Sequence, residues 1–286
     1  MLYGLGSALG FGMADLCGAI STRRIGVPVT VFVIQLVNVL ALSALLLTPL
    51  PGALDASAVA WTAILISGVL GTVSFFCFYR ALQLGPVAIV GPVFASYAAI
   101  SVILSEVLIG ERLSTLATVG VVSTLTGVVL ASASGGERAN GMRTSRSGIP
   151  FALVATVAWG VASFLIGRYA QETGWFLPVY GSRLVEFAGV GAAVLLLRAN
   201  GRKLPAPGRV GTAIAATSGL ADSIAVALFA RGSQVGLVSI TSAVSATFPL
   251  VLIAAGVALF RERPTAAQWV GVLATVGGLV LIALGR

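Results

Sequence analysis

Asp15, Glu106, Arg183, Glu186 and Asp222 are ionisable residues set within stretches made almost wholly of Ala, Val, Leu, Ile, Gly and small hydroxyl residues. If those stretches cross a bilayer, each ionised group costs about 2.5–3.5 kcal/mol at a helix centre and marks a functional position by default. A carboxylate held there can bind the cationic group of a substrate, or take up and release a proton. Asp15, among Gly10, Gly12 and Gly18, is open to either role, or to pairing with a nearby Arg or capping a broken helix. Asp222 lies near the middle of its apolar run and reads the same way, with a structural role as the alternative. Arg183 and Glu186 are three residues apart, share a helix face and are expected to neutralise each other. Glu106 sits close to the end of its run, either snorkelling to the interface, meeting Arg112, or binding ligand or a proton.

Composition decides the solvent of these groups. Hydrophobic residues make up 58% of the 286, charged residues only 9%, and the mean hydropathy is +1.05. Soluble domains carry about a quarter charged residues, so lipid surrounds most of this chain. The formal charge of +8 comes from basic residues at the ends of apolar runs. That pattern belongs to membrane loops and not to a nucleic-acid-binding stripe. Histidine is absent and the only cysteines, Cys17 and Cys77, lie inside apolar runs. No catalytic residue, metal site, disulfide framework or cofactor is expected. No phosphate-binding loop appears, so any use of ATP would need a separate subunit. The start, Met1-Leu2-Tyr3, has no basic segment and the first run keeps Asp15, so it reads as a spanning helix and not as a cleaved leader.

A span needs about 20 apolar residues. Charges, Gly and Pro divide the chain into ten such runs, near 2–20, 27–49, 57–79, 86–108, 114–133, 148–167, 175–197, 209–230, 236–259 and 265–285. The expected fold is an all-α integral membrane protein. The chain is also duplicated: residues from Phe78 to Ser132 recur 151 positions later, from Phe229 to Ala283. Arg80 matches Arg231, Gly85 matches Gly236, Gly120 matches Gly271, and Glu111-Arg112 matches Glu262-Arg263. At an offset of 144, Gly4, Ala14 and Arg24 match Gly148, Ala158 and Arg168. The expected domains are residues 1–133 and 148–286, joined by a polar linker over 134–147.

Five helices per copy is an odd number, so the second copy must enter the membrane from the opposite side. Ten transmembrane helices in two inverted five-helix repeats are therefore expected, the arrangement that lets one central site face two sides alternately. The copies differ where the charges lie. Asp15 aligns with Trp159, and Asp222 with Gly71. Tyr97 aligns with Phe248, and with Phe75 and Tyr79 these aromatics are candidates to line a cavity, or else to act as packing and interface anchors. The repeated pairs Glu111-Arg112 and Glu262-Arg263 are expected to form ion pairs that fix the turn between helices. Gly6 and Gly10 form a GxxxG face that serves packing within one protomer or a homodimer. Most loop arginines, including Arg23, Arg24, Arg80, Arg138, Arg143 and Arg146, fall on one side, which places both termini outside the cell.

The segment from Tyr79 to Leu130 and its copy from Phe229 to Leu281, each with a Glu-Arg after the fourth helix and a Gly-rich fifth helix, resemble the repeat of the drug/metabolite transporter superfamily, specifically its EamA-type ten-helix carriers. That resemblance implies a central cavity lined by helices 1, 3, 4, 6, 8 and 9, with helix 7, which carries Arg183 and Glu186, at the periphery. It also implies a proline midway along helices 4 and 9. Here helix 9 has Pro249 but the aligned residue of helix 4 is Ala98, with Pro92 earlier. Termini on the cytoplasmic side are implied as well, against the charge count. The function so implied is a secondary transporter in the cell membrane that exports small organic metabolites such as amino acids by alternating access, proton-coupled through Asp15 or Asp222 or uncoupled. Drug, sugar or nucleoside carriers share the fold. A membrane enzyme is a less favoured alternative, since it would need clustered nucleophiles, bases or metal ligands and the scattered carboxylates without His form no such cluster. A channel is another, supported by rings of like side chains in an oligomer, whereas inverted duplication within one chain favours a carrier.

Overall fold

The computed structural model describes residues 1–47, 56–84, 87–133, 148–202, 204–251, 254 and 266–285. The helices are α1 (Leu2–Ile25), α2 (Val27–Leu45), α3 (Ala58–Leu84), α4 (Val87–Ala95), α5 (Tyr97–Leu104), α6 (Thr115–Ala133), α7 (Ile149–Thr173), α8 (Phe176–Ala199), α9 (Arg209–Gln234), α10 (Val238–Ser245) and α11 (Ala266–Leu284). A π-helical turn, Ser105–Ile109, extends α5. Among the described residues five helices, α2, α3, α7, α8 and α9, are each long and apolar enough to cross a membrane. Lipid leaves no partner for an unpaired backbone amide, so even the glycine-rich α1 stays helical.

Several helices outlast the apolar runs that announce them. α1 continues to Ile25, α3 to Leu84 and α7 to Thr173, so that Arg23 and Arg24 lie on the last turn of α1, and Arg80 and Arg168 lie inside α3 and α7 just before their last turns. Long basic side chains can lay their stems on the helix and reach water, so a charge ends the apolar run before it ends the helix.

The fourth and ninth spans are not continuous. α4 gives way to α5 at Ser96, and α10 gives way at the turn Ala246–Phe248. Pro249 accounts for the second break, because it has no N–H and its ring crowds the carbonyl one turn back. The first break has no proline at the matching position. Both are held in the same way: Ser96 Oγ donates to the Val93 carbonyl at 2.6 Å, and Thr247 Oγ1 donates to the Val244 carbonyl at 2.8 Å. Thr156 Oγ1 of α7 also donates to Val93 O, at 2.9 Å. A hydroxyl on the loosened carbonyl is what makes non-helical backbone tolerable at membrane depth.

Packing follows a rule of exchange between halves. α1 lies along α9 as α7 lies along α3, α2 meets α9 as α8 meets α3, and α6 pairs with α11. At the last interface a Cβ on Gly120 would lie 2.7 Å from the Gly278 carbonyl, and one on Gly278 would lie 2.6 Å from the Gly120 carbonyl. Gly127 faces Gly271 and Thr275, while Gly120 faces Gly278 and Ile282, so α6 and α11 run antiparallel. The GxxxG of α1 is used within the chain, with Gly6 against Leu228 and Gly10 against Ala225 of α9.

Glu111 does not form the expected pair with Arg112. Its carboxylate accepts from Val238 N at 2.8 Å, Ser239 N at 3.0 Å and Ser239 Oγ at 2.6 Å, capping the start of α10 in the other half. The first amides of a helix have no intrahelical acceptor, and a carboxylate there also meets the positive end of the helix dipole. Glu262 and Arg263 lie outside the described residues.

Candidate functional site

α1, α3, the α4–α5 break, α7, α9 and the turn after α10 converge on an internal cavity. Its wall contains Asp15 from α1, Asp222 from α9, Ser74 from α3 and eight aromatic side chains. The aromatics interlock edge to face around Trp159. Phe11, Phe75 and Tyr97 have ring centroids 6.2, 6.3 and 6.4 Å from it, at interplanar angles of 89°, 78° and 75°. On the other side Phe94 lies 4.2 Å from Phe78, 5.7 Å from Tyr97 and 6.2 Å from Phe248, centroid to centroid. Tyr79 packs on Gly18, where a Cβ would run into its ring.

The sequence candidates Asp15, Asp222, Trp159, Tyr97, Phe248, Tyr79 and Phe75 are all brought to this wall. Tyr97 and Phe248 reach it because each stands at a helix break, which turns its Cα–Cβ bond inward. Glu106 is not brought there: it is exposed on the π-helical turn. Phe11, Phe78, Phe94 and Ser74 were missed. Phe78 and Ser74 had a legible signal, sharing with Phe75 and Tyr79 one face of α3 at helical spacing.

Among the described residues Asp15 makes no hydrogen bond or ion pair. Tyr97 is buried, and its hydroxyl has no hydrogen-bond partner of ordinary geometry. The wall therefore offers a carboxylate without a hydrogen-bond or ion-pair partner among the described residues. The cavity leaves only about 30 Å³ for the centres of water molecules, room for about one or two waters. In this conformation the site is narrow.

The sequence profile of the EamA-like transporter family matches residues 1–133 and again residues 146–284. The chain belongs to the EamA-like transporter family. It is a multi-pass membrane transporter. A solved structure 22% identical to this EamA-like chain covers 99% of it, and 96% of its own length, with a TM-score of 0.77, which shows a shared fold. Comparison with curated proteins gives no match.

Behind the cavity of the EamA-like chain lies a buried polar group that sequence reasoning captured only in part. Arg183 and Glu186 do form an ion pair, but at the core and fully buried, not at the periphery. α8 is drawn inward because Gly68 and Gly71 of α3 leave it space; a Cβ at Gly71 would collide with the Glu186 carboxyl. Arg183 Nη2 also lies 3.0 Å from Asp222 Oδ2. Its Cζ is 5.2 Å from the centre of the Phe75 ring and 5.7 Å from that of Trp159. Gln35 Nε2 donates to Glu186 at 2.9 Å and Asn38 Nδ2 donates to Asp222 at 2.9 Å. Ser223 Oγ donates to Asn38. Gln35 and Asn38 stand three residues apart in an otherwise apolar run, and that spacing on one helix face was the available signal.

Proposed function

We propose that this protein is a secondary carrier that moves a small organic molecule bearing a cationic nitrogen on an apolar body, such as an amine, a quaternary ammonium compound or an aromatic amino acid, by alternating access. The observation that carries the reading is the pairing of an uncompensated carboxylate, Asp15, with an aromatic enclosure. Ring faces attract cations by about 0.5–2 kcal/mol each, more as water is excluded, and a carboxylate supplies the full counter-charge. A sugar or nucleoside would gain from stacking alone and would leave Asp15 unpaired.

Inverted five-helix repeats, with the domain boundaries expected from the sequence, supply the mechanism. The antiparallel α6–α11 pair and the exchange of helix contacts between halves support inversion. A narrow cavity lined from both halves fits one state of a cycle in which the site opens to either side in turn. Outward movement is the direction implied by similar carriers. Asp15 serves as the exchange site, releasing a proton as the cation arrives and regaining one on the return. The titratable groups that share its cavity wall are Asp222 on α9, Tyr79 on α3 and Tyr97 on α5. Purified protein in liposomes, given phenyltrimethylammonium, phenylalanine, glucose and uridine with and without a pH gradient, tests the proposal. Uptake of the cation driven by an inward-acid to outward-alkaline exchange is expected. Uptake confined to glucose or uridine would replace the cation reading, and flux indifferent to the gradient would remove proton exchange.

A further inference from the structure

Asp222 belongs both to the cavity wall and to the buried group behind it, and Arg183 is the cation that meets it there. We infer that Arg183 is a resident counter-ion. It neutralises Asp222 in the unloaded carrier, and the arriving cationic substrate displaces it from Asp222 onto Glu186. The inference rests on the reading of the cavity as a cation site.

Four features fit that role. The guanidinium already lies against Phe75 and Trp159, two of the ring systems that a substrate cation would meet from the cavity side. Its contact with Asp222 is close, yet Nε and Nη2 of Arg183 make no aligned hydrogen bond, so charge holds the contact and directed bonding does not. Glu186, one turn along the same helix, stays with Arg183 in any position of α8, so release from Asp222 does not strand a buried cation. Asn38 stays on Asp222 through the exchange, keeping its carboxylate oriented.

The charges balance. In the unloaded state a protonated Asp15, Asp222, Arg183 and Glu186 together carry one net negative charge. In the loaded state Asp15 has released its proton to water, the substrate brings one positive charge, and the total is the same. The totals would match without Arg183 too. What Arg183 supplies is a cation beside Asp222 in the empty carrier, where an unpaired buried carboxylate would add a cost to the return step. The loaded carrier, with the substrate cation beside Asp222, does not meet that cost. Arg183 is thus a positioning residue: it acts through Asp222 and lets the empty carrier return.

Proteoliposomes carrying the wild type or the charge-balanced variant Arg183→Gln/Glu186→Gln are loaded with radiolabelled phenyltrimethylammonium. Efflux is measured into buffer without it (net flux) and into buffer with an equal concentration of it (exchange). Without the resident cation the empty carrier returns with Asp222 uncompensated, and the ratio of exchange to net flux is expected to rise by about a hundredfold, the effect on rate of one unpaired charge in the membrane interior. Arg183→Lys, which keeps the charge, is expected to bring the ratio back towards the wild-type value. Exchange and net flux falling together in the double variant would make Arg183 a structural residue and overturn the inference. So would a ratio that does not move. If the wild type carries no phenyltrimethylammonium in either assay, the cation reading of the cavity fails and this inference with it, whereas a normal wild type with an unmoved ratio removes this inference alone.

Discussion

Asp15 and Asp222 face the same cavity but differ in what already holds them. Asp222 has Arg183 and Asn38, while Asp15 has no polar partner among the described residues. Replacing Asp15 by Asn keeps the shape and removes the charge that a cation would find. Affinity for phenyltrimethylammonium, read by isothermal titration, is expected to fall at least about tenfold, the scale of a lost charged contact. Trp159→Ala opens the ring enclosure and should weaken the same binding by roughly 1–2 kcal/mol. Tyr97→Phe separates site from scaffold. Its hydroxyl has no ordinary partner, so the thermal midpoint should hold or rise slightly, by the cost of about 1 kcal/mol saved on a buried unsatisfied group; a drop of several degrees would show an unseen structural bond. Both carboxylates and most of the wall aromatics were legible in the sequence, because a charge in lipid is rare and because the copies disagree at those positions. The Arg183–Asp222 contact was not. It joins residues 39 positions apart on helices whose relative rotation no periodicity fixes, and the empty side of α3 at Gly71 that admits Glu186 reads in sequence as one small residue among many.

At the scale of elements, the breaks in the fourth and ninth spans place Tyr97 and Phe248 on the cavity. An unbroken apolar run looked like an unbroken helix over 86–108, since Ser96 is a common helix residue and only the Val93 carbonyl and Thr156 show what it does. Glu111 acts on this scale as well. By capping α10 from the other half it ties the two copies together where a turn-fixing ion pair was expected. Glu111→Ala leaves two helix amides without their acceptor, and a loss of about 1–3 kcal/mol is expected in denaturant unfolding in detergent. An unchanged midpoint would show that water caps that end as well. Gly120→Val forces α6 from α11 at a contact made through backbone carbonyls, and should cost about 1–3 kcal/mol by overpacking.

For the whole molecule, the duplication was legible because polar and glycine identities held register over the copied segment. The α6–α11 contacts show that those two helices run antiparallel. A carrier of this kind must part its halves on one side at a time. Ser101 of α5 and Ser242 of α10 stand Oγ to Oγ at 2.8 Å across the halves. In a chain with Cys17 and Cys77 replaced by Ser, Ser101→Cys/Ser242→Cys is expected to oxidise to a disulfide that stops transport until a thiol reductant restores it. Full flux with the bond formed would show that the halves do not separate there.

The central claim is that a cation and a proton share Asp15 in an aromatic cavity that opens to each side in turn. The most direct measurement is the flux of radiolabelled phenyltrimethylammonium in proteoliposomes under an imposed pH gradient, for the wild type and Asp15→Asn. The account predicts concentrative, gradient-driven uptake by the wild type and none by the variant. Equal flux by both proteins, with or without the gradient, would contradict it.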